Sequence, residues 1–397
     1  METVYFYHPA RNDRVGGAQL VVCNIAEFFI SKDINIGLID YPDGFCKKEL
    51  DRRGCDIYHF IDLSEIEKIE ISGRILAFNQ FLNHSPIYFS GSSKVIIWDV
   101  YYPFWGMLYS GLIRKFKRNL ITLIASKKAL IVMDAMGKNE IERIIDYSSN
   151  IKVVPVPNEK LPLCVNTELN DDDLSISYLG RAEIWKVTPF CKLYMDVRKV
   201  TDTKFSVYTD DVEEFKSLVR KVNGEIVLEN VLFFENFSRE NIYENIAKKS
   251  TFAAAMGTAA LEIANSGVPT ILLDLSYNEF PDEYKYKWLY QNKMKGSLGR
   301  DITNNNSNND GYSVDEILEQ LDNIREDISK DCMEYVKINH SIEYVAKEIL
   351  SSFEESELSI DELNKFIETN KFLLYYLKAK FFLRTTILKK SALAYIE

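Results

Sequence analysis

The chain has 397 residues, too many for one ordinary hydrophobic core, so two domains are expected. With 46% hydrophobic and 27% charged residues it has a globular composition, which excludes global disorder. A net charge of −11 excludes the broad basic surface of a general nucleic-acid binder, so no nucleic-acid partner is expected.

Short runs rich in β-branched and aromatic side chains alternate with longer amphipathic stretches along the first half. Strands are expected over residues 3–7, 35–40, 56–60, 74–78, 94–98, 129–133 and 151–154. Helix-period stretches such as 17–30 and 137–145 lie between several of them. Strands spaced by helices indicate a parallel sheet covered on both faces.

The composition breaks at Val154-Pro-Val-Pro-Asn158, and residues 166–173 are polar and acidic. Residues 1–160 therefore read as a first domain and 161–174 as a linker. The alternation then restarts, with strands over 175–179, 204–208, 231–234, 252–256 and 269–274. Helices are expected near 189–200 and over 212–222, 240–248 and 258–266. This is a second α/β domain, 175–352. An Asn-rich stretch over 304–311 reads as a loop, and the sequence from about 313 as helical. Residues 353–397 read as basic amphipathic helices with the first domain available to pack on. In doubly wound sheets ligands bind outside the carboxyl ends of the strands, so two such domains would form a cleft there.

Six cysteines form no C-x-x-C pair, and the four histidines, at 8, 59, 84 and 340, show no H-x-x-x-H spacing. Reduced thiols, a cytoplasmic setting and no dedicated metal site are expected. The N-terminus lacks the pattern of a signal peptide, and no run of about 18 apolar residues is present to span a bilayer.

Three runs carry candidate chemistry. Arg14-Val-Gly16-Gly17-Ala-Gln19 follows the first strand and leads into a helix. Two glycines there let backbone approach a ligand and aim free N–H groups at an anion. The run is neither G-x-G-x-x-G nor a P-loop, so neither a dinucleotide site nor an ATPase is supported, and alone it is equally a plain tight turn. Tyr178-Leu-Gly-Arg181-Ala-Glu-Ile-Trp-Lys186 places two cations just beyond a strand end. A diphosphate takes a guanidinium fork and a point charge, though two solvated cations would read the same way. In the third run, Ala255-Met-Gly257-Thr258-Ala-Ala-Leu-Glu262-Ile-Ala-Asn-Ser-Gly267-Val-Pro269, a strand ends at Gly257 and a helix begins. The helix N-terminus and the Thr258 hydroxyl suit a phosphate, and Glu262, one turn in, suits the two hydroxyls of a ribose. A capped helix with a surface Glu is the plainer alternative.

Together the three runs resemble the GT-B glycosyltransferases, most closely glycosyltransferase family 4. That family has a Gly-Gly loop after the first strand, a G-R-x-x-x-x-K segment early in the second domain, and a Glu-x7-Glu segment ending in Glu-Ala-x-Ala-x-Gly-x-Pro. The resemblance spans residues 16–269 and implies two Rossmann-like domains facing each other across a cleft. It implies that Gly16 and Gly17 contact the donor phosphate and sugar, that Arg181 and Lys186 neutralise the diphosphate, and that Gly257, Thr258 and Glu262 hold the nucleotide. The donor would be a UDP- or GDP-sugar, with no cofactor required. One position departs from the pattern: the first Glu would fall at Ala254, which leaves recognition of the transferred sugar unexplained. The resemblance to family 4 implies a retaining outcome, although related forms of this run also occur in inverting enzymes and sugar-nucleotide epimerases of the GT-B fold.

Breaking a sugar–diphosphate bond puts negative charge on the leaving group, which an Arg, a Lys and a helix N-terminus stabilise without a metal. Asp171-Asp172-Asp173 fits a D-x-D pattern but lies in the linker, where it reads as a solvated loop. Asp99 and His84 are candidates on the acceptor side, each as readily structural. Two segments break the acidic average. Residues 105–118 end in Arg114-Lys115-Phe116-Lys117-Arg118, and 371–390 carry Lys371, Lys378, Lys380, Arg384, Lys389 and Lys390 with no acid. Basic and aromatic together, they suit an anionic membrane surface and a glycan or lipid-linked acceptor, in cytoplasmic assembly of a bacterial surface polysaccharide such as O-antigen, capsule or lipopolysaccharide. The competing readings are a sugar-nucleotide epimerase of the same fold and a non-catalytic GT-B-like binding subunit.

Overall fold

The computed structural model describes residues 2–9, 17–64, 68–78, 81–100, 112–145, 151–158, 174–224, 228–235, 239–278, 280–303 and 310–370, with 375 and 379. The chain divides into two compact units, Met1–Pro157 with Ile342–Glu397, and Asn158–Ser341.

The first unit is built on β1 (Val4–Tyr7), α1 (Gly17–Ile30), β2 (Ile36–Asp40), α2 (Phe45–Arg52), β3 (His59–Asp62), β4 (Ile69–Glu70) and β5 (Arg74–Ala77). It continues through α3 (Phe81–Tyr88), β6 (Phe89–Ser90), β7 (Lys94–Asp99), α4 (Leu112–Ser126), β8 (Leu130–Val132), α5 (Ala135–Ile145) and β9 (Lys152–Val153). Seven strands form one sheet in the order β3-β2-β1-β5-β7-β8-β9, and β4 pairs separately with β6. Every pairing in the large sheet is parallel. Its central strands are buried along almost their whole length, which is why Val4–Tyr7 and Lys94–Asp99 read as apolar runs instead of alternating. The strand expected at 56–60 begins at His59 instead. β2 pairs Gly37 with His59 and Asp40 with Asp62, and Tyr58 is left 68% exposed.

The second unit comprises β10 (Ser175–Leu179), α6 (Ile184–Val200), β11 (Lys204–Tyr208), α7 (Val212–Asn223), β12 (Val231–Phe234) and α8 (Arg239–Lys249). β13 (Phe252–Ala255), α9 (Thr258–Asn265), β14 (Thr270–Leu272), β15 (Lys287–Trp288) and the long α10 (Val314–His340) complete it. Its sheet runs β12-β11-β10-β13-β14-β15, parallel except for the last pair. α6 starts five residues before the expected 189, and Pro189 lies inside it. The Glu183 carbonyl accepts from the Lys186 and Val187 amides, so the first turn closes ahead of the proline, which then forfeits only one interior hydrogen bond. α10 opens on a reciprocal cap in which Ser313 and Glu316 each accept from the other's backbone amide.

After α10 the chain returns to the first unit as α11 (Ile342–Glu355) and α12 (Ile360–Thr369). The boundary expected at 352 therefore falls at 341. The cause is burial: α11 sinks Val345, Ala346, Ile349 and Phe353, and Leu358, Ile360, Leu363 and Ile367 join the first unit's core cluster. Backbone bonds follow, from the Val95 amide to the Leu358 carbonyl and from the Ile360 amide to the Ser93 carbonyl, each 3.0 Å.

α4 contains the described part of the first basic segment, 112–118, and beyond that segment it buries Leu120, Ile121, Ile124 and Ala125 in that core. The rest of that segment, the linker up to residue 173, and nearly all of 371–390 lie outside the described residues. No helix among the described residues is long and apolar enough to cross a membrane.

Candidate functional site

In the second unit the carboxyl ends of the strands line up in one row. Leu179 of β10 pairs with Tyr208 of β11 on one side and with Ala255 of β13 on the other, and Ala255 pairs onward with Leu272 of β14. The chain winds outward in opposite directions from β10 and β13, so the strand order reverses between them. That is the position where doubly wound sheets bind ligands. Two sequence-distant runs, 180–186 and 256–262, leave this switch point from adjacent strand ends.

The first run is tightly fixed. The Gly180 amide donates to the Tyr208 carbonyl at 3.1 Å, and the Ala182 amide donates to the Asp210 carboxylate at 2.7 Å. Gly180 leaves no room for a side chain, because a Cβ there would lie 2.4 Å from the hydroxyl of buried Tyr178. The Tyr178 hydroxyl itself donates to the Lys186 carbonyl at 2.8 Å, so strand and first helical turn are clamped together.

Arg181 and Lys186 flank one carboxylate. Glu183 Oε1 is 3.4 Å from Arg181 Nη2, and its Oε2 is 3.8 Å from Lys186 Nζ. The Lys186 ammonium also sits 4.7 Å from the centre of the Trp185 ring. With its side chain only 14% exposed, Lys186 is poorly hydrated. Burial lowers its pKa to about 8, the neighbouring Arg181 pushes the same way, and Glu183 and Asp210 oppose. A cation in the first turn of a helix is also unfavourably placed against the helix dipole, so an incoming anion would relieve it twice over.

The second run follows β13. Gly257 caps α9 with φ 67° and ψ −152°, a conformation that side-chain-bearing residues rarely adopt. A Cβ at 257 would meet nothing within 4 Å, so backbone conformation and not crowding demands the glycine. The Gly257 amide donates to the Leu298 carbonyl at 2.8 Å. Thr258 is the first helical residue, and Glu262, one turn on and 7% exposed, shares its face. Ala254 lies inside β13, fully buried and paired with Tyr178 and Ile271. The strand runs on through the position where the family pattern has its first Glu, so no edge residue stands there to face a sugar.

A wall closes the side toward β14. Asp274 accepts from the Arg300 amide at 2.9 Å and from Arg300 Nη2 at 2.7 Å, and Tyr284 donates to it at 3.1 Å. This fixes the 298–300 segment against Gly257 beside a small pocket of about 110 Å³ that Lys287, Asn292 and Ser297 also line.

The first unit holds the remaining candidates. Gly16 lies outside the described residues, and Gly17 is the first residue of α1. His84 is placed in the backbone of α3, but its side chain is not among those described. Asp99 ends β7 and is buried, its carbonyl accepting from the Met133 amide at 3.0 Å. The structure adds a residue the sequence reading passed over: His8 stands at the carboxyl end of β1, beside the reversal of strand order between β1 and β5. Its position between the first strand and the Gly16-Gly17 run is the one signal in the sequence that marks it.

No family model matches the chain, and no curated protein matches it in sequence. Solved structures do. A glycosyltransferase from Rickettsia africae ESF-5 covers 89% of this chain and 98% of its own, with a TM-score of 0.58 and 13% identity. The lipopolysaccharide outer core galactosyltransferase WaaB, in its apo form, covers 89% of this chain and 99% of its own, with a TM-score of 0.52 and 12% identity. At such identities the likeness is one of fold. With two doubly wound parallel sheets and helices at its C-terminal end, the chain has the GT-B fold.

Proposed function

We propose that the chain is a glycosyltransferase whose second unit holds a UDP- or GDP-sugar donor at its switch point. The observation that carries this reading is the pairing of Leu179 with Ala255, which sets the Arg181–Lys186 run beside the Gly257 turn and the N-terminus of α9. Two cations and a row of helix N–H groups are what a leaving diphosphate needs, and they supply it from the protein's own residues. In this reading Arg181 and Lys186 clamp the diphosphate, Thr258 and the Gly257 turn bind phosphate oxygens, and Glu262 accepts from the ribose hydroxyls.

The reading is tested by donor hydrolysis over a panel of nucleotide sugars, with and without glycan acceptors and with EDTA present. Slow hydrolysis of one donor, accelerated by an acceptor and insensitive to EDTA, is expected. Recovery of an epimerised donor would identify an epimerase, and nucleotide binding without turnover a binding subunit. Glu262→Gln keeps the shape and loses the charge, so donor affinity should fall on the order of tenfold by calorimetry while the fold survives. Unchanged affinity would remove Glu262 from the site.

The proposed acceptor is a glycan or lipid-linked glycan of a bacterial surface polysaccharide, met at the cytoplasmic face of a membrane. Its supports are the basic, acid-free run 371–390 and the fold shared with WaaB, itself a lipopolysaccharide galactosyltransferase. α4 adds the cations Lys115, Lys117 and Arg118 to this. Each cation near an anionic surface contributes roughly 1 kcal/mol, so flotation with anionic vesicles that high salt abolishes is expected. A protein that never floats would leave the tail a structural brace.

A further inference from the structure

We infer that His8 presents its Nε2–H to a sugar hydroxyl at the switch point of the first unit's sheet, as a neutral hydrogen-bond donor and not as a proton-accepting base. The inference rests on the glycosyltransferase reading above and concerns a residue that reading does not use.

The ring is held in place. It packs on Phe78, just past the end of β5, with centroids 4.5 Å apart. Phe78 stacks in turn on Trp98 at 6.0 Å, and the Trp98 indole N–H donates to the Val154 carbonyl at 3.1 Å. The Phe78 amide bonds back to the Tyr7 carbonyl at 3.4 Å. Two rings, one just past β5 and one near the end of β7, thus back the imidazole at the sheet's carboxyl edge.

The two ring nitrogens differ. Among the described residues Nδ1 is enclosed without a hydrogen-bond partner, whereas Nε2 is not one of the enclosed, unpartnered atoms and the residue as a whole is part-exposed. We take Nε2 as the nitrogen open to a ligand. An enclosed N–H without an acceptor is rarer in folded proteins than an enclosed acceptor without a donor. The single proton of the neutral ring therefore belongs on Nε2. A histidine base has the reverse arrangement, with Nδ1–H held by a carboxylate or carbonyl and a bare Nε2 facing the substrate.

Burial lowers the His8 pKa to about 4 and is its whole cause. Among the described residues no titratable group adds to it. Asp40, ending β2, accepts from the Tyr41 and Lys47 amides at 2.8 and 3.3 Å, and the Cys46 thiol points at the His8 carbonyl at 3.9 Å. Asp99 stands two strands away at the end of β7, beyond β5. The ring is neutral throughout the physiological range, which is the state a donor needs.

Nitrogen-15 NMR of the imidazoles reads the tautomer directly, and with four histidines in the chain the His8 signals are assigned by their loss in His8→Phe. A protonated Nε2, a bare Nδ1 and no titration between about pH 5 and 8 are expected. His8→Phe keeps the ring on Phe78 and removes the enclosed nitrogen, so it should melt no lower than the wild type. It should lose roughly tenfold in kcat/KM, the scale of one neutral hydrogen bond, and His8→Gln, whose side-chain amide reaches the Nε2 position, should recover most of that. Loss in donor hydrolysis and transfer alike assigns the hydroxyl to the transferred sugar; loss in transfer alone assigns it to the acceptor. A proton on Nδ1, a titration near 6.5, a loss of a hundredfold or more with an acid limb in the pH profile, or a His8→Phe enzyme as active as the wild type would each overturn the inference. The spectrum needs no turnover, so a chain that transfers no sugar defeats the glycosyltransferase reading and still leaves the tautomer decided.

Discussion

Lys186→Ala is expected to lower kcat/KM for the donor by about 2–4 kcal/mol of transition-state stabilisation, a hundredfold or more at the upper end. Arg181→Ala should fall at the lower end of the same range, because that side chain is 49% exposed and its charge is screened. The buried lysine gives the test a second readout. Its pKa of about 8 is depressed by burial and by Arg181, against the pull of Glu183 and Asp210. A diphosphate beside it favours the charged form, so binding above about pH 8 must take up a proton. Donor affinity should be flat below that pH and fall toward tenfold per unit above it, until the pKa of the bound form is passed. Calorimetry in buffers of different protonation enthalpy measures the uptake. Folding carries the opposite sign: between about pH 8 and the ordinary lysine value the unfolded chain binds more protons, so stability rises with pH there. A pH-independent affinity together with normal turnover in Lys186→Ala would take the lysine out of the clamp.

Ending the chain at Ser341 is expected to unfold the first unit and leave the second folded. The lost segment supplies Leu358, Ile360, Leu363 and Ile367 to the first unit's core, all fully buried, and Val345, Ile349 and Phe353 beneath α11. Truncating one such side chain to Ala costs about 2–5 kcal/mol, and a whole domain has only about 5–15 kcal/mol in hand. The single change Leu363→Ala should therefore destabilise the first unit measurably without unfolding it. Amide exchange followed by peptide mapping separates the units: protection should vanish across β1, β5 and β7 and persist across β10 and β13. Protected amides in β1 after truncation would mean that the C-terminal helices merely cover a unit that stands alone.

The alternation of strands and helices was legible because apolar runs on a buried parallel sheet need no partner to be recognised. Edges were less so. Ile57 and Tyr58 look like strand residues, yet β3 starts after them, because register is set by β2 and not by local propensity. Pro189 looks like a helix start, but the Glu183 carbonyl closes a turn before it. The return of the chain at Ile342 has no local signal, since α10 and α11 are both amphipathic and differ only in the core they face. At the site, the residue types of 178–186 and 255–269 were readable, but their adjacency is a fact of strand order. His8 was hidden for a related reason: a histidine after a strand looks the same whether its nitrogens are paired or not.

The order of assembly during synthesis follows from where the chain crosses between units. The first unit is begun first and finished last, because the second is inserted between residue 157 and residue 342. At the roughly 5–20 residues per second of a ribosome, the second unit is complete seconds before α12 emerges. Through that interval the sheet of the first unit stands with Ile97, Ile121 and Leu130 made but part of its core still missing. The Val95 amide and the Ser93 carbonyl likewise wait for Leu358 and Ile360. A pause in translation between Ser341 and Ile367 would hold open an apolar surface that the finished protein never shows, and a chaperone that binds apolar segments would find its substrate there.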